Sequence, residues 1–185
     1  METLIRIQST PNPNALKFIV NKIVKSEGKA TFKNAEECHT NPLARQLFTI
    51  PHVDEIYFFE NVITVTQDGN VDWSEIEDKT KDVILSKIDE HDPNFKVDEA
   101  TVKPQAVQTP EIAKIEAILD RTVRPALQGD GGDLQVLRLD GNILTVYYQG
   151  ACGSCPSSTA GTLKAIEGIL KEEFNPDIVV ETAAA

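Results

Sequence analysis

Ile143-Leu144-Thr145-Val146-Tyr147-Tyr148-Gln149-Gly150-Ala151-Cys152-Gly153-Ser154-Cys155-Pro156-Ser157-Ser158 is an apolar strand that breaks at a glycine, presents two thiols and runs on into a helix. The helix shows in Leu163, Ile166, Ile169, Leu170 and Phe174, which recur at helical spacing. Upstream, Asp140-Gly141 suits a two-residue hairpin turn that joins the strand to an earlier one, Leu134 to Leu139. Gly129-Asp130-Gly131-Gly132-Asp133 reads as the turn before that hairpin. Further back, Thr109-Pro110-Glu111 supplies a cap, a first-turn proline and an acid at the positive end of a helix. Ile112, Ile115, Ile118 and Leu119 form its buried stripe, and Pro125 should end or kink it. Ile178-Val179-Val180 closes the sheet. Residues 110–182 are therefore predicted as an α-β-β-α-β unit of the α+β class.

The first ninety or so residues repeat neither this order nor its motifs. Leu4 to Ile7 and Ala15 to Val20 alternate as strands around the loop Thr10-Pro11-Asn12-Pro13-Asn14, the second with Leu16, Phe18 and Val20 inward. Asn41-Pro42 starts a short helix, and Val53–Phe59 and Val62–Thr66 form a hairpin around Glu60-Asn61. Asp72 or Ser74 caps a last helix with Ile76, Val83, Ile84 and Ile88 on one face, and Trp73 is its anchor. The expected order is ββ-α-ββ-α, with a further short strand near Thr31-Phe32. Between the two pieces lie Pro93, Pro104 and Pro110 among polar residues, the composition of a connector. The predicted organisation is two small α+β domains, 1–91 and 110–182, joined by a proline-containing linker at 92–109.

The chain has 185 residues, 41% hydrophobic and 25% charged, the balance of a folded globular protein. Its formal net charge of -11 makes it a poor ligand for nucleic acid or an anionic membrane. No stretch reaches the roughly 20 apolar residues that cross a bilayer. Met1 to Ile7 enters strand alternation at once, without secretory or transit-peptide character. With only three cysteines, the expectation is a reducing compartment, the cytoplasm, although a mature organellar protein would read the same.

Two thiols separated by two residues can bind one metal or adjacent irons, yet they fill only half of a four-thiolate shell. Ser157 and Ser158 begin a helix whose free N–H groups and dipole point back at the loop, which favours thiolate and suits an anionic cluster. Gly150 and Gly153 allow the backbone to turn and approach closely. Three chemistries compete at this point. Zinc needs four ligands; within one chain Cys38, His39, His52 and His91 offer no second paired motif, while two chains could share one zinc as an interaction module. A dithiol–disulfide oxidoreductase would also place its thiols at a helix start. It calls for βαβ surroundings, whereas a hairpin precedes this loop, and Ala151 stands where an aromatic would be expected. Two chains together could hold one whole iron–sulfur cluster. Cys38 is expected to be half-exposed, its pKa raised by Glu36 and Glu37. The histidines are expected at the surface, Asp130 and Asp133 in a turn that packs beside the cysteine loop, and Tyr57-Phe58-Phe59 in the core with one ring outward.

Gly131-Gly132-Asp133, Gly150 to Thr159, Thr162-Leu163-Lys164 and Ile166-Glu167 resemble the C-terminal domain of the NifU and Nfu-type iron–sulfur proteins. Thr10 to Phe18, Pro42-Leu43-Ala44, Leu47-Phe48 and Asp72-Trp73 resemble the companion Nfu N-terminal domain. Gly161 departs from the usual continuous helix start, and His39-Thr40-Asn41 precedes Pro42 where serine is more usual. The resemblance implies a non-enzymatic carrier that binds a cluster, [4Fe-4S] or alternatively [2Fe-2S], through Cys152 and Cys155 of each of two chains. It implies a homodimer formed through the cluster, an upstream assembly scaffold as donor and apo iron–sulfur enzymes as recipients. The N-terminal piece would recognise partners or set the geometry of the dimer.

Overall fold

A computed structural model describes residues 2–97, 106–153 and 156–183, excluding the side chains of residues 156–159. The chain divides into two compact units, Met1–Val102 and Lys103–Ala185.

In the first unit five strands, β1 (Ile5–Ser9), β2 (Ala15–Val20), β3 (Lys25–Phe32), β4 (Val53–Glu60) and β5 (Val62–Gln67), form one antiparallel sheet in the order β1-β2-β5-β4-β3. Helices α1 (Pro42–Leu47) and α2 (Trp73–Lys87) pack on one another. Leu43, Leu47, Ile76 and Ile84 of these helices share a core with Phe18, Phe32, Ile56, Phe58 and Ile63 of the sheet. The side chain of Asn41 accepts from Ala44 N at 2.9 Å, capping α1 ahead of Pro42. The Trp73 indole donates to the Pro13 carbonyl at 3.0 Å and ties the start of α2 to the β1–β2 loop. Tyr57 and Phe58 are buried, while Phe59 is partly open and stacks on Tyr57.

Three features differ from expectation. The short strand near Phe32 is an eight-residue edge strand; its first half is exposed and polar, so apolar alternation shows only at Ala30 and Phe32. Phe95, expected in the connector, is buried against Phe32 and Phe58, with ring centroids 6.1 Å from each. His91 is not a surface residue. Its ring packs edge-on to Phe58 and Phe95, and Nε2 lies 2.7 Å from the Val24 carbonyl.

Burial holds the His91 pKa below its ordinary 6.5, against the opposing pull of the Val24 carbonyl and Asp92. An unfolded chain therefore takes up a proton that the folded one refuses. Stability contributed by neutral His91 is present above 6.5 and falls as pH drops through that value toward the lower folded pKa. Thermal melts followed by Trp73, the single tryptophan, should show the midpoint falling on acidification through this window, and His91→Gln should flatten that slope. An unchanged slope in the variant would remove His91 as its source.

The second unit contains α3 (Pro110–Thr122), α4 (Arg124–Gly129), β6 (Gly132–Asp140), β7 (Ile143–Gly150), α5 (Pro156–Glu173) and β8 (Val179–Thr182). Thr109 Oγ1 accepts from Ile112 N at 3.2 Å and caps α3. The break between α3 and α4 falls two residues before Pro125, which has no N–H to continue the ladder. The sheet order is β6-β7-β8, with β6/β7 antiparallel and β7/β8 parallel. Ile115, Leu119, Ile166 and Leu170 pack with Leu134, Val136, Leu144 and Val146 in its core.

The hairpin loop is Gly141-Asn142, one residue later than expected, with Gly141 at φ +59 and Asp140 paired to Ile143. Gly132 and Asp133, expected in a turn, are the first residues of β6 and pair with Gly150 and Gln149. The parallel β7-α5-β8 crossover also corrects the objection to an oxidoreductase: the cysteine loop does sit inside a βαβ unit.

Candidate metal centre

β7 ends at Gly150, whose φ of +65 turns the chain out of the sheet. The turn is tied down twice: Ala151 N donates to the Gly131 carbonyl at 3.2 Å, and Gly153 N donates to the Gly150 carbonyl at 2.9 Å. These bonds place Cys152 at 8% exposure, in the same apolar cluster as Tyr148, Leu134 and Leu127.

Gly132 forms the floor under that thiol. A Cβ at Gly132 would lie 2.6 Å from Cys152 Sγ, 2.7 Å from the Gln149 carbonyl and 2.9 Å from Cys152 N. The Gly-Gly-Asp element and the cysteine loop are therefore one structure, packed together as expected, with the Gly131 carbonyl accepting from the Ala151 N–H. Helix α5 starts at Pro156, so its positive end faces the loop by chain order. Ser154 and Cys155 lie outside the described residues; of the two expected ligands, only Cys152 is placed.

The floor is held from behind by charge. Asp133 is 2% exposed; its carboxylate accepts from Gln128 Nε2 at 3.2 Å and lies 3.5 Å from Arg124 Nε. Arg124 also meets Glu116 at 2.5 Å and pairs with Asp120. Burial opposes the charge on Arg124, but Asp120, Glu116 and Asp133 outweigh it and hold the guanidinium protonated. This cluster is absent from the sequence-based expectations. Glu116, Asp120 and Arg124 recur every four residues, a spacing that could have revealed it.

Tyr148 was also passed over. It is 6% exposed, and its hydroxyl has no hydrogen-bond partner among the described residues.

Cys38 does not belong to this site. It is fully buried in the core of the first unit rather than half-exposed, and its Sγ is 3.4 Å from the Asn34 carbonyl. Its pKa is pushed up to about 12, first by burial and then by Glu37, with Arg45 opposing. His52 pairs with Asp68 at 3.0 Å, a bond that, with the Asn70 N–H, holds the Asp68 carboxyl down at about 2. His39 ends the 3-10 turn Ala35–Cys38. Among the described residues no three His, Cys, Asp or Glu side chains converge as a metal site.

Two family models match the chain. Residues 5–91 match "Scaffold protein Nfu/NifU N terminal" and residues 115–181 match "NifU-like domain". "NifU-like protein 5, mitochondrial" of Arabidopsis thaliana is 33% identical over 172 residues, covering 90% of this chain and 62% of its own length. "NFU1 iron-sulfur cluster scaffold homolog, mitochondrial" of Homo sapiens is 34% identical over 169 residues, covering 90% of this chain and 66% of its own length. The chain thus spans about three fifths to two thirds of these relatives. The solution structure of a NifU-like protein from Saccharomyces cerevisiae is similar at a TM-score of 0.44 and 26% identity, over 47% of this chain and 79% of that one. Among the described residues no helix is long and apolar enough to cross a membrane.

Proposed function

The chain belongs to the Nfu/NifU family, and on that premise we propose that it is an iron–sulfur cluster carrier, holding a [4Fe-4S] cluster between two copies and passing it to apo-proteins. Cys152 and Cys155 of each copy are the ligands. One observation carries this reading. Cys152 Sγ rests against a residue with no side chain, in a turn fixed by Ala151 and Gly153. The missing side chain and the two turn bonds fix where that sulfur sits, as a ligand to an inorganic core requires. Relatives named as iron–sulfur cluster scaffolds support it.

Two thiolates per chain suit transfer as well as binding. At each step a recipient thiolate replaces Cys152 or Cys155 on one iron, and the freed cysteine takes up a proton. No electron moves, and every iron keeps its sulfur shell throughout. An upstream assembly scaffold would load the carrier by the same exchange in reverse. The protein is a carrier rather than an enzyme in this reading. The two units act as separate domains, the first extending past the expected boundary at residue 91 to take in Phe95 and the second reaching back from 110 to Ala106, with the first serving partner recognition or dimer geometry. Its working compartment is one that keeps thiols reduced, organellar like that of the relatives named mitochondrial, or cytoplasmic.

Anaerobic reconstitution with iron and sulfide should give a brown protein with about four irons per pair of chains. Cys152→Ala and Cys155→Ser should each stay colourless, while Cys38→Ala should colour normally. A colourless Cys38→Ala protein, or a monomer carrying a full cluster in sedimentation, would contradict the ligand set. The βαβ setting of the loop keeps a thiol–disulfide oxidoreductase as the second reading. Sustained turnover of a protein disulfide by the cluster-free chain would favour it.

A further inference from the structure

Tyr148 is the penultimate inward-facing position before the sheet ends. It pairs across β6 with Leu134 and packs in the same cluster as Cys152. The loop folds back over it: a side chain at Gly153 would meet the Tyr148 carbonyl at 3.3 Å. Its ring is core, yet its hydroxyl is buried without a hydrogen-bond partner among the described residues. A phenol left in this state costs stability, and Phe would fill the same space without that cost. The hydroxyl belongs to a side chain in the same apolar cluster as the Cys152 thiol. The phenol is also within electrostatic reach of that thiol, since the Cys152 charge, after burial, raises the Tyr148 pKa.

We propose that Tyr148 is a dedicated donor to the cargo: its hydroxyl hydrogen-bonds an anionic sulfur of the bound cluster, either the Cys152 thiolate on iron or an inorganic sulfide. The acceptor arrives with the cluster and leaves with it. Hydrogen bonds to cluster sulfurs stabilise the more reduced, more negative state and raise the reduction potential. They also strengthen retention, because a charge-assisted bond is lost on release. Tyr148 would thus help set how firmly the cargo is held without adding a ligand to be exchanged. This inference rests on the carrier reading above.

The test is Tyr148→Phe, read in two states. In the cluster-free protein the variant should melt at the same temperature as the parent or higher, because it removes only an unsatisfied hydroxyl. In the reconstituted protein the variant should lose its cluster to a chelator several-fold faster, with a reduction potential below the parent's. This opposite pair of effects separates a cargo donor from a structural hydroxyl. A clear fall in the melting temperature of the cluster-free variant would show that the hydroxyl serves the fold and would overturn the proposal. So would a parent and variant that retain the cluster equally well at equal potential; in that case the carrier reading stands and only the donor falls. A parent that takes up no iron overturns both. Sulfur-isotope shifts in resonance Raman spectra assign the acceptor. Loss of the hydroxyl should perturb iron–thiolate modes if Cys152 accepts and bridging-sulfide modes if the inorganic atom does.

Discussion

Gly132→Ala should unfold or severely distort the second unit at the cysteine loop. The added methyl would sit under 3 Å from three atoms, two of them backbone. A flexible side-chain end could move aside, but the Gln149 carbonyl and Cys152 N belong to the strand and turn that define the site. Overpacking of this kind typically costs 1–3 kcal/mol, and with backbone on two sides about 3 kcal/mol or more is expected. For a domain of this size that is a fall in Tm on the order of 10–20 °C. Amide hydrogen exchange should report it as lost protection along β6 and β7. Cluster uptake should fail even under conditions where the rest of the unit remains folded, because relief of the clash moves Cys152. Gly129→Ala is the control, since a Cβ there meets nothing within 4 Å. A Gly132→Ala protein with parental Tm and full cluster content would show that the close approach is not required.

Arg124→Leu is the second large effect, reached through charge rather than volume. Arg124 is the cation facing three carboxylates, and Asp133 among them is almost wholly buried. Glu116 and Asp120 can turn to solvent when the guanidinium goes. Asp133 cannot, and its buried carboxylate, still bonded to Gln128 and the Leu134 N–H, loses the positive charge that faces it. Breaking a buried pair in this way costs about 3–5 kcal/mol, comparable with much of the stability of a small domain. The distinguishing measurement is the double variant Arg124→Leu/Asp133→Asn, where the stranded charge is absent. It should recover a substantial part of the lost stability in urea unfolding. If the double variant is no more stable than Arg124→Leu alone, the loss comes from packing of the arginine stem. Arg124→Lys should recover little, because one ammonium cannot reproduce a planar fork shared among three acids.

The strongest local signals were legible. Thr109-Pro110 and Asn41-Pro42 start helices because a capping oxygen followed by a proline satisfies the first turn whatever the tertiary fold. Pro125 interrupts a helix for an equally local reason. The β6–β7 hairpin was found, with its loop displaced by one residue, because one glycine in the first loop position satisfies the same pattern as the expected pair. What escaped was decided by partners distant in sequence. His91 reads as a surface residue and Phe95 as part of the polar connector, but Val24, Phe32 and Phe58 close over them. Gly132 reads as a turn residue because glycine usually serves conformation; here it serves approach, and only the position of Cys152 reveals that. Tyr148 reads as one more alternating aromatic. Its lone hydroxyl is visible only once everything around it is in place.

The sealed thiol at Cys38 has a consequence for the chain's exposure to damage. With its acid dissociation pushed to about 12, a negligible share is ionised at neutral pH, and peroxide, polysulfide and stray metal all attack the ionised sulfur. A carrier of the kind proposed would meet all three reagents. Entombing this sulfur withholds the one thiol of the first unit from such chemistry.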